Sequence, residues 1–407
     1  MAKYRILSLD GGGSWALIQV KALIDLFSHS GKGDDISGHE VLRQFDLVIG
    51  NSGGTITLGG LLMNERLATI LGYFKNEAQR SRIFVPANIF RDPFSHLTEF
   101  LGIGYKYDTR AKLAGLKSIL GSLSEQPVSA VPAMLGANYR GAATHVVFCA
   151  FDYDRNREVF FRSDLQSRAG ASHLPCSIVL AIHTSSNAPV NYFDAPAETG
   201  SGRYWDGAIG GFNNPVFAGV IEAVANAEAY ATSRGEIRAL SIGTGSVALP
   251  PERHLPHEDP ALVAHAQNWN IPNDVNKLAT AIVDDPPDAA SFHAHMFLGG
   301  SLPADGAAAS VSGPVIRMSP LVQPLPGTGD PPWVLPANLS PKQFSALVNL
   351  DMDAVKQDDV DLLDYFADRW LAGTVLNQPI QSYPLTFLPR IGHRHYADAK
   401  RAWQALL

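Results

Sequence analysis

The amino-acid sequence predicts an α/β protein, a parallel central sheet with a mostly helical C-terminal cover. Two observations predict it. The N-terminal stretch alternates strand, helix, strand, helix, the order that builds parallel sheets through crossover connections. Further buried-type runs follow, among them THVVFCAF and IRALSIGTG, the latter again ending in glycines.

Tyr4–Leu9 (YRILSL) is a short apolar run and gives the first strand. Asp10–Gly13 (DGGG) follows, and Trp15–Phe27 then carries apolar residues at helical spacing. After a Gly/Asp/Ser-rich loop, Phe45–Gly50 (FDLVIG) predicts a second buried strand, and SGGTITLGGLLM a second helix in spite of its glycines. Val85–Tyr107 is irregular and aromatic, with Phe90, Phe94, Phe100, Tyr105 and Tyr107. Such a run reads either as a lid or lipid-contacting surface or, more commonly for aromatic residues, as core.

Strands return at THVVFCAF and REVFF, CSIVLAIHTS predicts a buried helix, and RYWDGAIGG a strand ending in a tight turn. NPVFAGVIEAVANAEAYA predicts a helix capped by Asn213 or Asn214 with Pro215 in its first turn. Prolines concentrate at Pro250–Pro260 and Pro320–Pro336, with helical segments between and after. The expected organisation is a core over residues 1–250 and a helical extension over 251–407, packed on it as one domain.

The chain of 407 residues, 46% hydrophobic and 17% charged, has ordinary globular composition. A net charge of −7 gives no general attraction to nucleic acid and disfavours broad binding to anionic membranes. The two cysteines, Cys149 and Cys176, form no CxxC or Cys/His cluster, which argues against structural zinc and suits a reducing compartment. MAKYRILSLD lacks the form of a signal peptide, and no stretch reaches the ~18 uninterrupted apolar residues of a spanning helix. The expectation is a cytoplasmic protein without metal or cofactor.

Gly50–Gly54 (GNSGG) is a G-x-S-x-G sequence lying between a strand and a helix, the setting a nucleophile elbow requires. A serine there stands at a helix N-terminus, where free amides favour developing negative charge. Ser52 reads equally well, on this motif alone, as a plain N-cap. Gly11, Gly12 and Gly13, with Gly53, are candidate amide donors for an oxyanion, and Asp10 a brace for their loop. The same DGGGS also resembles the phosphate loop of actin-like sugar kinases, although a hairpin strand should then follow where helical periodicity is found.

A serine nucleophile needs a base. His254, His257, His293, His295, His393 and His395 lack a strand-end setting, and His183 reads as a core histidine within a helix. Asp206, pinned by Gly207 after a short strand, is the remaining candidate: burial raises a carboxyl above its ordinary ~4 and makes it a better base. Its alternative is an aspartate bonding its own turn.

These pieces together resemble the patatin-like phospholipases. The matching residues are Asp10–Gly13, Gly50–Gly54 around Ser52, SSNAPVNYF (Ser185–Phe193), DGAIGGFNNP from Asp206, LSIGTG (Leu240–Gly245) and KYD (Lys106–Asp108). The resemblance implies a parallel central sheet with helices on both faces, a lipid acyl hydrolase with a Ser–Asp dyad, a lipid or phospholipid ester as substrate, and transient membrane-surface contact. Three positions depart from the family pattern: Ser14–Trp15–Ala16 replaces a basic residue and glycine, Asn51 a frequent threonine, and Asn187 an alanine. The two other classes are the ATP-dependent sugar kinase and a non-catalytic lipid-binding relative on the same scaffold.

Overall fold

The computed structural model describes residues 3–28, 36–87, 105–164, 176–189, 192–249, 289–301, 313–326, 333–380 and 391–407. Its strands are β1 (Tyr4–Leu9), β2 (Leu47–Gly50), β3 (His145–Asp152), β4 (Arg157–Arg162), β5 (Ala197–Thr199), β6 (Gly202–Asp206), β7 (Ile237–Ile242), β8 (Ser246–Val247), β9 (Val315–Met318), β10 (Leu321–Val322), β11 (Leu325–Pro326) and β12 (Trp333–Val334). The helices are α1 (Leu17–Phe27), α2 (Gly38–Leu42), α3 (Gly53–Leu62), α4 (Leu67–Lys75), α5 (Glu77–Ile83), α6 (Thr109–Leu120), α7 (Val131–Leu135), α8 (Ile178–Ser185), α9 (Val216–Ala225), α10 (Pro341–Val348), α11 (Gln357–Leu371) and α12 (Tyr396–Leu406).

The main sheet runs β5-β6-β3-β2-β1-β7-β9, with β4 also paired to β3. From β3 to β9 all pairings are parallel, whereas β4, β5 and β6 form an antiparallel flank. Residues after Gly13 form a short 3-10 turn and then α1, so β1 returns to the sheet as a parallel crossover and not as a hairpin.

Strand parity divides the core. Leu7 and Leu9 of β1, Val48 of β2 and Leu240 and Ile242 of β7 face one side, where α1, α3, α4, α8 and the C-terminal α10–α12 cover them. Tyr4, Ile6, Leu47, Ile49, Ile237 and Ala239 face the other, covered by Val216, Val220 and Ala223 of α9. A parallel sheet buried on both faces explains why these strands read as unbroken apolar runs.

The sequence reading contains no strand beyond residue 250, yet β9 extends the sheet beside β7. Arg317 lies inside it, 3% exposed, and pairs with Asp10 at 2.6 Å. Its other nitrogens donate to Ser241 Oγ at 2.8 Å and Gln378 Oε1 at 3.2 Å. His254, His257, Phe90, Phe94 and Phe100 lie outside the described residues.

Arg317→Met removes the guanidinium from a buried carboxylate and is expected to cost about 3–5 kcal/mol, read as a lower urea midpoint. A midpoint within error of wild type would show that Asp10 does not need this cation.

Candidate active site

Register brings the candidate residues together before any side chain is considered. Leu9 is opposite both Gly50 of β2 and Ile242 of β7, so the loops at Asp10–Gly13, Asn51–Ser52 and Gly243–Gly245 leave one sheet edge side by side. Asp206, on β6 opposite Ala150 of β3, ends its strand next to them. Open α/β sheets place their sites at such carboxyl edges.

Ser52 adopts φ 48° and ψ −121°, a backbone conformation that costs a side-chain-bearing residue of order 1–3 kcal/mol. Its side chain makes no capping bond to α3. The hydroxyl lies beside the Asp206 carboxyl and favours its charged form. The turn is tight because α3 starts against the first loop: a Cβ on Gly54 would lie 2.2 Å from the Leu9 carbonyl oxygen, and one on Gly53 2.7 Å from the Gly13 nitrogen. The Ser52 amide is held by Ser185 at the end of α8, 3.2 Å from both its carbonyl and its hydroxyl oxygen.

Asp206 is buried, and burial is the largest influence on it, raising its carboxyl above the usual range. The Ser52 hydroxyl and hydrogen bonds from the Ala208 amide at 2.9 Å and Asn51 Nδ2 at 2.9 Å, with the field of Lys112, act in the opposite direction. Asp206 thus bonds its own turn, as the turn-aspartate reading expects. Its amide donates to the Asn187 carbonyl at 3.0 Å, so the SSNAP segment holds both Ser52 and Asp206.

The glycine loop is fixed from several sides. Gly12 has φ 146° and Gly13 φ 54°, values that L side chains rarely adopt. Gln19 of α1 donates to the Asp10 and Ile242 carbonyls at 2.9 and 3.1 Å, and Thr244 Oγ1 to the Gly11 carbonyl at 2.6 Å. The Gly11 amide donates to the Asn213 carbonyl at 2.8 Å. The amides of Gly12, Gly13 and Gly53 make no protein hydrogen bond among the described residues. Gly50 ends β2, and Gly207 passes so close to Asn51 that a Cβ there would lie 2.5 Å from its Oδ1. Pro215, and not Asn213 or Asn214, holds the N-cap position of α9, while Asn214 accepts from the Val216 amide at 3.2 Å.

A cavity of about 380 Å³ opens over Ser52, lined also by Gly13, Gly53, Ile56, Phe84, Lys112, Tyr192, Phe193, Met352 and Asp353. No histidine is among its lining residues. His183 is buried in α8 with its ring held well below the usual range, chiefly by burial. No cluster of three metal-ligating residues occurs among the described residues.

Three contributors were not read from the sequence. Lys112 of α6 is fully buried, donates to the His183 carbonyl at 3.0 Å and lies 4.4 Å from the Phe193 ring centroid. Burial pulls its ammonium well below the ordinary lysine range, against the attraction of Asp206. Its signal was its position: Lys112, Leu116 and Leu120 form one buried stripe at helical spacing. Arg317, a charge within the apolar run VIRM, carried the same kind of signal. The third is Asp351–Asp353. The Met352 carbonyl accepts from Ser14 N at 2.8 Å, Asp353 accepts from the Tyr107 hydroxyl, and Lys106 pairs with Asp351 at 2.7 Å. Tyr107 belongs to the flank of the aromatic run, where its ring packs against Phe84 and Phe193.

The family model described as patatin-like phospholipase matches residues 7–219. No curated protein matches the chain. Among solved structures, VipD from Legionella pneumophila is similar at 13% identity and a TM-score of 0.37, covering 90% of this chain and 67% of VipD.

Two measurements test the geometry. Ser52→Gly relieves the strained backbone where Ser52→Ala keeps it, so the glycine variant is expected to be more stable by about 1 kcal/mol or more; equal melting temperatures would deny the strain. Asn51→Ala removes a donor that favours the Asp206 carboxylate. A process that needs this carboxylate ionised is lost as pH falls through its pKa, so the acidic limb of kcat/KM should move to higher pH. An unmoved limb would mean that Asn51 does not tune Asp206.

Proposed function

The chain belongs to the patatin-like phospholipase family, and from that premise we propose that it hydrolyses phospholipid or other lipid esters through Ser52 and Asp206. The observation that carries the reading is the placement of the Ser52 hydroxyl beside a buried Asp206 at the carboxyl edge of the sheet. As Ser52 Oγ attacks the ester carbonyl carbon, its proton passes to Asp206, which gains basicity from burial. The negative charge developing on the carbonyl oxygen meets the amides of Gly12, Gly13 and Gly53 at the start of α3. Gly11 shapes the loop instead, because its amide already serves Asn213.

Collapse of the adduct expels the alcohol, which takes the proton from Asp206. Water then attacks the acyl-serine, losing a proton to Asp206, and Ser52 leaves as the alcohol. Each turnover consumes one water and returns the dyad, without a metal or cofactor. The second class, a sugar kinase, is disfavoured by the helical crossover after Gly13, where that fold needs a second hairpin strand.

Residues 1–250 supply the reacting atoms in this reading, and 251–407 supply support through Arg317 and Met352 as part of one domain. Transient contact with a membrane surface is its means of reaching lipid, since no helix among the described residues is long and apolar enough to cross a membrane. A cytoplasmic location fits Cys149 and Cys176, both unpaired and buried.

Ser52→Ala and Asp206→Asn are each expected to lower kcat/KM on p-nitrophenyl butyrate and mixed phospholipid vesicles by about a thousandfold or more, and Ser52→Ala to abolish fluorophosphonate labelling. Undiminished turnover in either folded variant would exclude the dyad. ATP binding by an esterase-inactive wild type would favour the kinase.

A further inference from the structure

We propose that the Lys112 ammonium is the counter-charge of the dyad: it balances the Asp206 carboxylate in the resting enzyme, and the oxyanion once Asp206 has taken the Ser52 proton. The inference rests on the reading of Ser52 and Asp206 as catalytic partners. Lys112 exchanges no bond in this scheme and acts through Asp206, so it is a positioning residue.

Its place is built for an ammonium. Lys112 is fully buried in α6 and lines the cavity over Ser52. It shares a buried stripe with Leu116 and Leu120, so packing alone asks only for an apolar side chain there. Taking a charge out of water is costly, and the site offsets this with acceptors. The His183 carbonyl stands 3.0 Å from Nζ in the last turn of α8, where helix carbonyls lack internal partners and the dipole favours a cation. Asn187 Oδ1 lies at 3.4 Å. That amide is oriented by its own Nδ2, which donates to the Ala195 carbonyl at 2.8 Å, so oxygen is the atom turned to the lysine. The Phe193 ring centroid is 4.4 Å away and offers the same cation a π face. A neutral amine would need a donor for its lone pair, yet the hydrogen-bond partners of Nζ among the described residues are both acceptors.

The surrounding charges point to Asp206. Three titratable groups face Lys112: Asp206 at the end of β6, His183 of α8, and Asp353 on the cavity wall. His183 is held well below its usual range, by burial first and then by Lys112, and stays neutral. Asp353 already takes the Tyr107 hydroxyl, and Lys106 at 3.3 Å. Asp206 is the anion whose attraction acts on Lys112, and Lys112 is the charged group whose field acts on Asp206. The Asn187 carbonyl accepts the Asp206 amide, so the charge and the carboxylate are fixed to one segment. Attack moves one negative charge from Asp206 to the carbonyl oxygen. Lys112 lines the cavity together with Gly13 and Gly53, so its charge serves both positions. Without it the buried site would hold an unbalanced negative charge at every stage.

The test is the pH profile of p-nitrophenyl butyrate hydrolysis by wild type, Lys112→Met and Lys112→Gln. Without the cation the carboxylate is less favoured, and Asp206 keeps its proton to higher pH. The acidic limb of kcat/KM is therefore expected to move up by about one pH unit. The plateau of kcat is expected to fall about tenfold or more, with KM little changed. Lys112→Gln keeps a donor for the His183 carbonyl, so a lysine needed only for that bond would leave the limb in its wild-type place. An unmoved limb or an undiminished plateau in either folded variant overturns the proposal.

If neither variant folds, the wild-type profile decides. Burial pulls the Lys112 ammonium well below the ordinary lysine range of ~10.4, so activity is expected to be lost as pH rises and before that value is reached. Activity that holds level to that pH overturns the counter-charge. A wild type that neither turns over butyrate nor takes a fluorophosphonate label overturns the dyad reading, and this inference with it. A labelled, active wild type whose Lys112 variants keep its limbs overturns the counter-charge alone.

Discussion

The register of β1 between β2 and β7 is the constraint on which the candidate site depends. With Leu9 opposite Gly50 and Ile242, three loops emerge at one level of the sheet edge. A one-residue slip of β1 would exchange Leu7 and Leu9 with Ile6 and Ser8 between the two buried faces. Both faces are covered, so hydrophobic burial on either side opposes the slip. The serine and the glycine amides are thus positioned by packing spread over the whole sheet. Local bonds such as Gln19 to the Asp10 carbonyl then refine the loop.

Two buried carboxylates at this edge are treated differently, and the difference suits different roles. Asp10 is in direct contact with the Arg317 guanidinium, whose Nη1 and Nε donate to Ser241 and Gln378. That arrangement fixes a loop. Asp206 accepts from the neutral donors Asn51 and Ala208 and lies beside the Ser52 hydroxyl, while the Lys112 ammonium donates to the His183 carbonyl and acts on Asp206 only through its field. A carboxylate locked to a cation is a weak proton acceptor. One held by neutral donors in a buried place keeps more of its basicity.

The sheet core was legible in the sequence because its chemistry is local. A parallel strand covered on both faces is an apolar run, and a sharp turn into a helix leaves glycine around a serine. Hence Tyr4–Leu9, Phe45–Gly50 and the GNSGG turn read directly. Strand β9 did not, since VIRM is four residues long and contains Arg317, whose partner Asp10 lies 307 positions earlier in the chain. Periodicity carries no information about a counter-ion so distant. Lys112 is a related case: its place on the Leu116–Leu120 stripe implied burial, but not the His183 carbonyl that makes burial tolerable. Asn51 and Asn187 were visible as departures from a family pattern. Only the structure gives them work, one bonding the Asp206 carboxylate and the other accepting from its amide.

The C-terminal segment Asp351–Asp353 makes the site a property of the whole fold. The Met352 carbonyl takes the Ser14 amide, Trp15 Nε1 donates to the Asp351 carbonyl at 3.3 Å, and Lys106 and Tyr107 reach Asp351 and Asp353. These contacts join the glycine loop, the flank of the aromatic run and the segment leading into α11. Arg80 extends the same attachment through the Val355 carbonyl. Trp15 stands where the family pattern has small or basic residues, and its indole nitrogen is committed to that segment. The departure from the pattern and the attachment of the C-terminal third are therefore one feature: the tryptophan supplies the donor that the Asp351 carbonyl accepts. A loop whose amides must stay unpaired to receive an oxyanion has little internal bonding of its own. Its rigidity must come from elsewhere in the chain, and here much of it comes from residues more than 300 positions away in sequence.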